Sequence, residues 1–239
     1  MKKEIKTSLY LLSGYRNPIL IFYMIMISIA LLIGITSSAT ATGQVNTTAS
    51  GLEISTIIFL FVVGLNAFKE DFKFLMANNV TRKKFYISNI LTMLSVTFIM
   101  SIIDVTLSYF YQAIVGNYES LGNQIYGNMS VIASILYYFS LYTLAIVIGL
   151  VITIIYYRSN QIMKIIVSIT PIALFYLMLY LNSQSNNAIG EAVGRFFVFA
   201  LGLSRSTPNP YMGVITFFLA SIGLLLINKI IMIKAPIKN

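Results

Sequence analysis

The 239-residue chain contains no cysteine and no histidine. Without cysteine there is no disulfide and no thiol chemistry. Without histidine there is no imidazole proton relay, most zinc sites are ruled out, and so is every Ser–His or Cys–His nucleophile. An intramembrane protease or a metalloenzyme is therefore a poor reading. Charge is scarce as well, at 10% of residues, where a soluble domain carries roughly a quarter. The sequence also lacks a G-x-x-x-x-G-K-[ST] loop, so this chain cannot cradle ATP phosphates by itself.

What is present is apolar: 58% of residues are hydrophobic and mean hydropathy is +0.85. Too little polar surface remains to cover a water-exposed globule. About 20 apolar residues in a helix cross a bilayer core. The expected fold class is an all-α integral membrane protein, a single transmembrane domain over 1–239 with six transmembrane helices at about 18–36, 51–67, 87–115, 129–156, 165–181 and 211–227. The third and fourth runs are long enough to tilt, or to continue as helix beyond the membrane. The first run follows Lys2, Lys3, Lys6 and Arg16, and Ala39-Thr40-Ala41 beyond it looks like a cleavage site. The run exceeds the ~7–15-residue core of a signal peptide, so it is read as a retained first helix. Asn17-Pro18 suits its start.

The formal charge of +9 reads as topology, not as a nucleic-acid footprint. One set of alternate segments holds Lys2, Lys3, Lys6 and Arg16; Lys69, Lys73, Arg82, Lys83 and Lys84; Arg158 and Lys164; and Lys229, Lys234 and Lys238. That is 14 of the 16 Lys and Arg, with only Arg195 and Arg205 on the other side. The excess of basic residues in cytoplasmic loops then predicts cytoplasmic N- and C-termini and an even number of spans. The stretch 188–204 is apolar around Phe196–Leu201, but a helix of this length reaches only ~25 Å, short of the ~30 Å core. It is expected as a short amphipathic or re-entrant outer helix, with Gly190, Gly194 and Gly202 allowing close approach to neighbours. The outer segments are short and rich in Gly, Asn, Ser and Thr. The two three-span halves show no inverted match, which weakens a secondary-transporter reading.

The segment between spans two and three is the most informative. In Phe68-Lys-Glu-Asp-Phe72-Lys-Phe-Leu75-Met76 the apolar residues Phe68, Phe72, Leu75 and Met76 fall on one helical face. Lys69, Glu70, Asp71 and Lys73 lie largely off it. Asn78-Asn79 can break this helix over 68–77, since Asn tolerates left-handed backbone. Thr81 can cap the next one ahead of Arg82-Lys83-Lys84. One reading is a surface-bound loop helix with basic anchors. The other is a coupling helix, a knob that docks into a nucleotide-binding subunit; mixed charge with exposed aromatics suits a protein partner better than lipid alone.

The pattern F-K-E-D-F-K-F-L-x-x-N-x-V-T-R-K-K-F-Y between spans two and three resembles the ABC-2 type (type V exporter-like) permease family. Small Gram-positive members that export peptides or bacteriocins are most similar, including permeases of the phenol-soluble-modulin exporter. The resemblance covers the whole chain. It implies a homodimer of permeases in the cell membrane with two copies of a separate ABC ATPase subunit. ATP and Mg would sit on that partner and no cofactor on this chain. It implies ATPase coupling through Phe68, Glu70, Asp71, Phe72, Leu75, Met76, Arg82 and Lys83. It also implies a connecting helix along the inner membrane surface at 2–14, where Ile5, Leu9 and Leu12 share a face; a simple anchor before span one fits the residues equally well. The implied task is export of an amphipathic peptide, antibiotic or lipid-like substrate. Alternatives are self-immunity, expelling a bacteriocin from the membrane, and a membrane scaffold or sensor subunit without transport.

Asp104 lies inside span three among Ile102, Ile103 and Val105. A carboxylate there costs roughly 3 kcal/mol, so it should face protein or water, or be protonated. It reads either as a polar helix–helix contact or as a pathway or gate residue. Glu53 is expected at the interface, opening span two. Pro171 should kink span five, to shape a cavity or simply within packing. Tyr137-Tyr138 and Tyr156-Tyr157 bracket span four as interface belts do. Tyr109 and Phe110 either line a path for an amphipathic substrate or pack.

Overall fold

The computed structural model describes residues 2–39, 49–115, 118–203 and 207–233. Thr40 and Ala41 of the cleavage-like triplet, Arg205, Lys234 and Lys238 lie outside them. In chain order the elements are α1 (Lys2–Ala39), β1 (Ala49–Ser50), α2 (Leu52–Asn66), α3 (Lys69–Ala77), α4 (Arg82–Val115), β2 (Tyr118–Glu119), α5 (Leu121–Tyr126), α6 (Val131–Arg158), α7 (Gln161–Gln184), α8 (Ala188–Ala200) and α9 (Pro210–Ile233). Six helices, α1, α2, α4, α6, α7 and α9, are long and apolar enough to cross a membrane. The chain is a helical, multi-pass membrane protein by that measure, with one addition: β1 and β2 form a short parallel pair.

Named contacts fix the directions of the helices. Ser88 Oγ donates to the Glu4 carbonyl at 3.0 Å and Thr92 Oγ1 to the Ser8 carbonyl at 3.1 Å, so α1 and α4 run side by side in the same sense. Tyr138 reaches Glu53 and Thr153 reaches the Leu65 carbonyl, so α2 and α6 also run together. Arg82 and Tyr86 donate to the Ile233 and Leu225 carbonyls at 2.7 Å each, so α9 opposes α4. Glu4, Arg82 and Ile233 therefore share one end of the bundle, which also carries α3. The β pair and α5 lie at the other end.

Helix α6 is the centre. Its mean hydropathy of 2.3 is the highest of the six, and a helix apolar all round belongs inside. It packs against α2, α4 and α9. Against α2 the backbones meet: a Cβ on Gly64 would lie 2.1 Å from the Ile146 carbonyl oxygen, and one on Gly149 would lie 2.3 Å from that of Phe61. Only glycine permits that approach, which brings the two helices into dispersion contact where lipid supplies no hydrophobic drive.

Two expectations are corrected. The N-terminal stretch is not a separate helix ahead of span one; α1 is continuous for 38 residues with Pro18 inside it, about 57 Å at 1.5 Å per residue. Proline removes one backbone hydrogen bond, and membrane helices tolerate that loss. The packed face of this stretch is Ser8 and Leu11, while Ile5 and Leu9 point away from the bundle. Helix α7 holds Pro171 within it and has no buried residue. The short helix expected before the last span forms as α8, but a Cβ at Gly194 would meet open space, so of the three glycines only Gly190 and Gly202 make close approaches.

Candidate functional site

Two places concentrate chemistry: the α3 segment at one end, and a polar interior toward the other.

The α3 segment folds as the residues dictate. Glu70 and Asp71 lie in its first turn, where carboxylates complement the helix dipole. Asn79 adopts φ 57°, and the bonds Val80 N to Leu75 O at 3.0 Å and Asn79 N to Met76 O at 3.2 Å close the helix in a Schellman arrangement. Thr81 Oγ1 accepts from Lys84 N at 3.4 Å, beginning α4.

The aromatics of α3, expected to be exposed, turn inward instead. Phe68 and Phe72 are fully buried and Leu75 nearly so. Phe68 stacks on Phe72 at 4.7 Å, and both meet Phe85 of α4 and Tyr157 of α6 edge-on at 5.2–6.1 Å. Phe74, half exposed, stacks on Tyr10 of α1 at 5.5 Å. Three spans thus grip α3. Lys69, Glu70 and Lys83 face outward, and Asp71, Lys73, Met76 and Arg82 are half-buried. On one flank a groove of about 880 Å³ runs between Phe61, Leu65, Ile152 and Tyr156, with Lys69, Lys73 and Lys164 among its lining residues. On the other, a groove of about 340 Å³ lies against α1 and is lined by Glu70 and Asp71. Glu70 lines both grooves, so the first combines three lysines with one carboxylate and the second holds two carboxylates.

In the polar interior, Asp104 Oδ1 accepts from Tyr23 at 2.8 Å, and Oδ2 accepts from Tyr142. Asp104 therefore joins α1, α4 and α6. Glu53 is 2% exposed, so it is buried and not interfacial as its position near the start of α2 suggested. Its Oε1 accepts from Ser108 at 3.1 Å. Tyr138 approaches the same atom at 3.5 Å and also accepts from Gly122 N at 3.0 Å. The Tyr118 phenol, beside Glu53, is held well above its ordinary range by burial first and by that carboxylate second. Tyr137, Tyr138 and Tyr157 are likewise core residues, not an interface belt. Tyr138 faces Glu53, Tyr137 packs on Tyr126 and Phe217, and Tyr157 packs on Phe68 and Phe72.

Tyr109 and Phe110 are exposed, each bordering only a small cavity, of about 30 and 50 Å³. Pro171 is exposed on α7. None of the three joins the Asp104 cluster. What the sequence reading missed is a polar stripe on α4: Ser88, Thr92, Thr97, Ser101 and Asp104 are all buried, at steps of three to five residues. That spacing was legible as one helical face. Buried Asn228 of α9, with neither amide atom hydrogen-bonded, was also overlooked.

No protein-family model, no curated protein and no solved structure matches the chain.

Proposed function

We propose that this chain is the permease subunit of an ATP-driven ABC exporter, with α3 as the element that receives movement from a separate ATPase. The observation that carries the proposal is the construction of α3. Its apolar face is locked by Phe68, Phe72 and Leu75 onto α4 and α6, and Phe74 ties it to α1, while Lys69 and Glu70 remain outside. A push on the exposed face moves three spans together. A helix meant only to float on lipid has no need of such a grip.

In this reading the α3 end is cytoplasmic, as the distribution of basic residues predicts, and the membrane is that of a Gram-positive cell. Two permease copies and two ATPase copies form the working complex. The ATPase binds ATP and Mg; this chain supplies the path. The groove beside α3 joins apolar walls to lysines, which suits the amphipathic peptide, antibiotic or lipid-like substrate proposed here. Solubilising the full chain gently and identifying what co-purifies tests the proposal. A chain bearing a G-x-x-x-x-G-K-[ST] loop, present in equal numbers, is expected; a complex without any such chain favours a scaffold or sensor subunit.

A further inference from the structure

Glu53 and Asp104 are 2% and 7% exposed, and no Lys or Arg lines the cavity that both border. Ser108 lies between them on α4: its Oγ donates to Glu53 Oε1 at 3.1 Å, and its contact with Asp104, at 2.8 Å, is to the backbone carbonyl one turn back. Two carboxylates removed from water with no cation beside them are costly unless something positive joins them. The cavity measures about 10 Å³ and is bounded also by Thr56, Tyr111 and Tyr118. That is room for one water-sized guest. Three oxygens around it have no partner in full hydrogen-bond geometry: Glu53 Oε2, the Tyr111 hydroxyl and the Tyr118 hydroxyl, of which Tyr118 makes only loose approaches to Glu53 and Ser108. Tyr111 stands near both carboxylates. Protein interiors rarely leave three neighbouring polar atoms unsatisfied.

We propose that this cavity binds one small monovalent cation of the sodium class, with Glu53 Oε2 as the anionic ligand and the hydroxyl oxygens of Tyr111 and Tyr118 as neutral ligands. An all-oxygen donor set suits a hard cation. Asp104, whose oxygens already accept from Tyr23 and Tyr142, contributes its field to the cavity. A single free carboxylate oxygen and space for one atom fit a monovalent ion. Calcium takes six to eight oxygens, and magnesium keeps several waters in a strict octahedron. The bound ion offsets one of the two negative charges and ties α2 to α4 and β2. None of this depends on the transport reading.

The test uses the full chain in detergent micelles, with sodium chloride replacing choline chloride at constant ionic strength and fixed neutral pH. The unfolding midpoint should rise with sodium and saturate, as mass action requires of a ligand bound by the folded state alone. Radiolabelled sodium should bind once per chain. Glu53→Gln should abolish the response. Tyr118→Phe, which keeps the ring and is the milder change, should shift the sodium dependence to higher concentration. Identical midpoints in sodium and choline overturn the proposal, as does a sodium response unchanged by both variants. If acidification in choline raises the midpoint and sodium adds nothing, the carboxylates hold a proton and the sodium site is refuted.

Discussion

Tyr23 donates its hydroxyl to Asp104 Oδ1 at 2.8 Å, across 81 positions of sequence. That bond, with the one from Tyr142 to Oδ2, makes a single carboxylate the meeting point of α1, α4 and α6. A carboxylate inside a membrane helix bundle persists where its lone pairs are occupied.

Removing that acceptor should be costly. Asp104→Ala leaves the Tyr142 phenol without its acceptor and Tyr23 with only the longer contact to the Met100 carbonyl at 3.3 Å, and each unsatisfied buried group costs about 1–3 kcal/mol. A loss of about 3 kcal/mol is expected, read as a lower unfolding midpoint in micelles. Tyr23→Phe removes one donor and should cost about 1 kcal/mol. Unchanged stability in Asp104→Ala would mean that relief of the buried charge outweighs the lost bonds.

The α2–α6 crossing makes a sharper prediction. Gly64→Ala places a methyl group 2.1 Å from the Ile146 carbonyl, and backbone cannot retreat as a flexible side chain can. The helices must part, and the yield of folded protein should fall steeply. Gly194→Ala meets nothing within 4 Å and lies within α8. It should be neutral, or stabilising by up to about 1 kcal/mol from helix propensity. Equal behaviour of the two variants contradicts the crossing.

The legibility of this molecule in its sequence was uneven. The spans were readable because ~20-residue apolar runs have little alternative to crossing lipid. The α3 segment was readable because Asn79 and Thr81 are turn and cap chemistry at fixed places. Which way the α3 stripe faces was not readable: period gives a face, and only tertiary packing against Phe85 and Tyr157 says that it is inside. Glu53 misled for the same reason. A carboxylate near the start of a span reads as interfacial unless β1, β2 and α5 are known to close over that end. Pro18 suggested a helix start because its preference for the first turn is strong, yet the helix runs through it.

The two faces of α3 should respond differently to substitution. Phe72→Ala empties a fully buried site, and such truncations cost about 3–5 kcal/mol; the chain should lose folded yield. Lys69→Glu touches only the outer face. It should leave folding unchanged and reduce substrate-stimulated ATP hydrolysis in the reconstituted complex. A variant at Lys69 that folds and couples normally removes the charged face from the mechanism.

Because the chain has no native cysteine, orientation is directly measurable. Lys83 at the α3 end and Gln124 in α5 are both exposed. In intact cells a membrane-impermeant maleimide should label Gln124→Cys and spare Lys83→Cys, and cell lysis should release the second. The reverse pattern inverts the topology and places α3 where no cytoplasmic ATPase can reach it.

The central claim is that α3 is the surface on which a nucleotide-hydrolysing partner acts. A photo-crosslinking residue placed at Glu70, on the outward face, measures this most directly in the native membrane. The account predicts a crosslink to a chain carrying a phosphate-binding loop, absent when the same residue stands at Gln124. Crosslinks from Glu70 to lipid alone, or to proteins without an ATP site, contradict it.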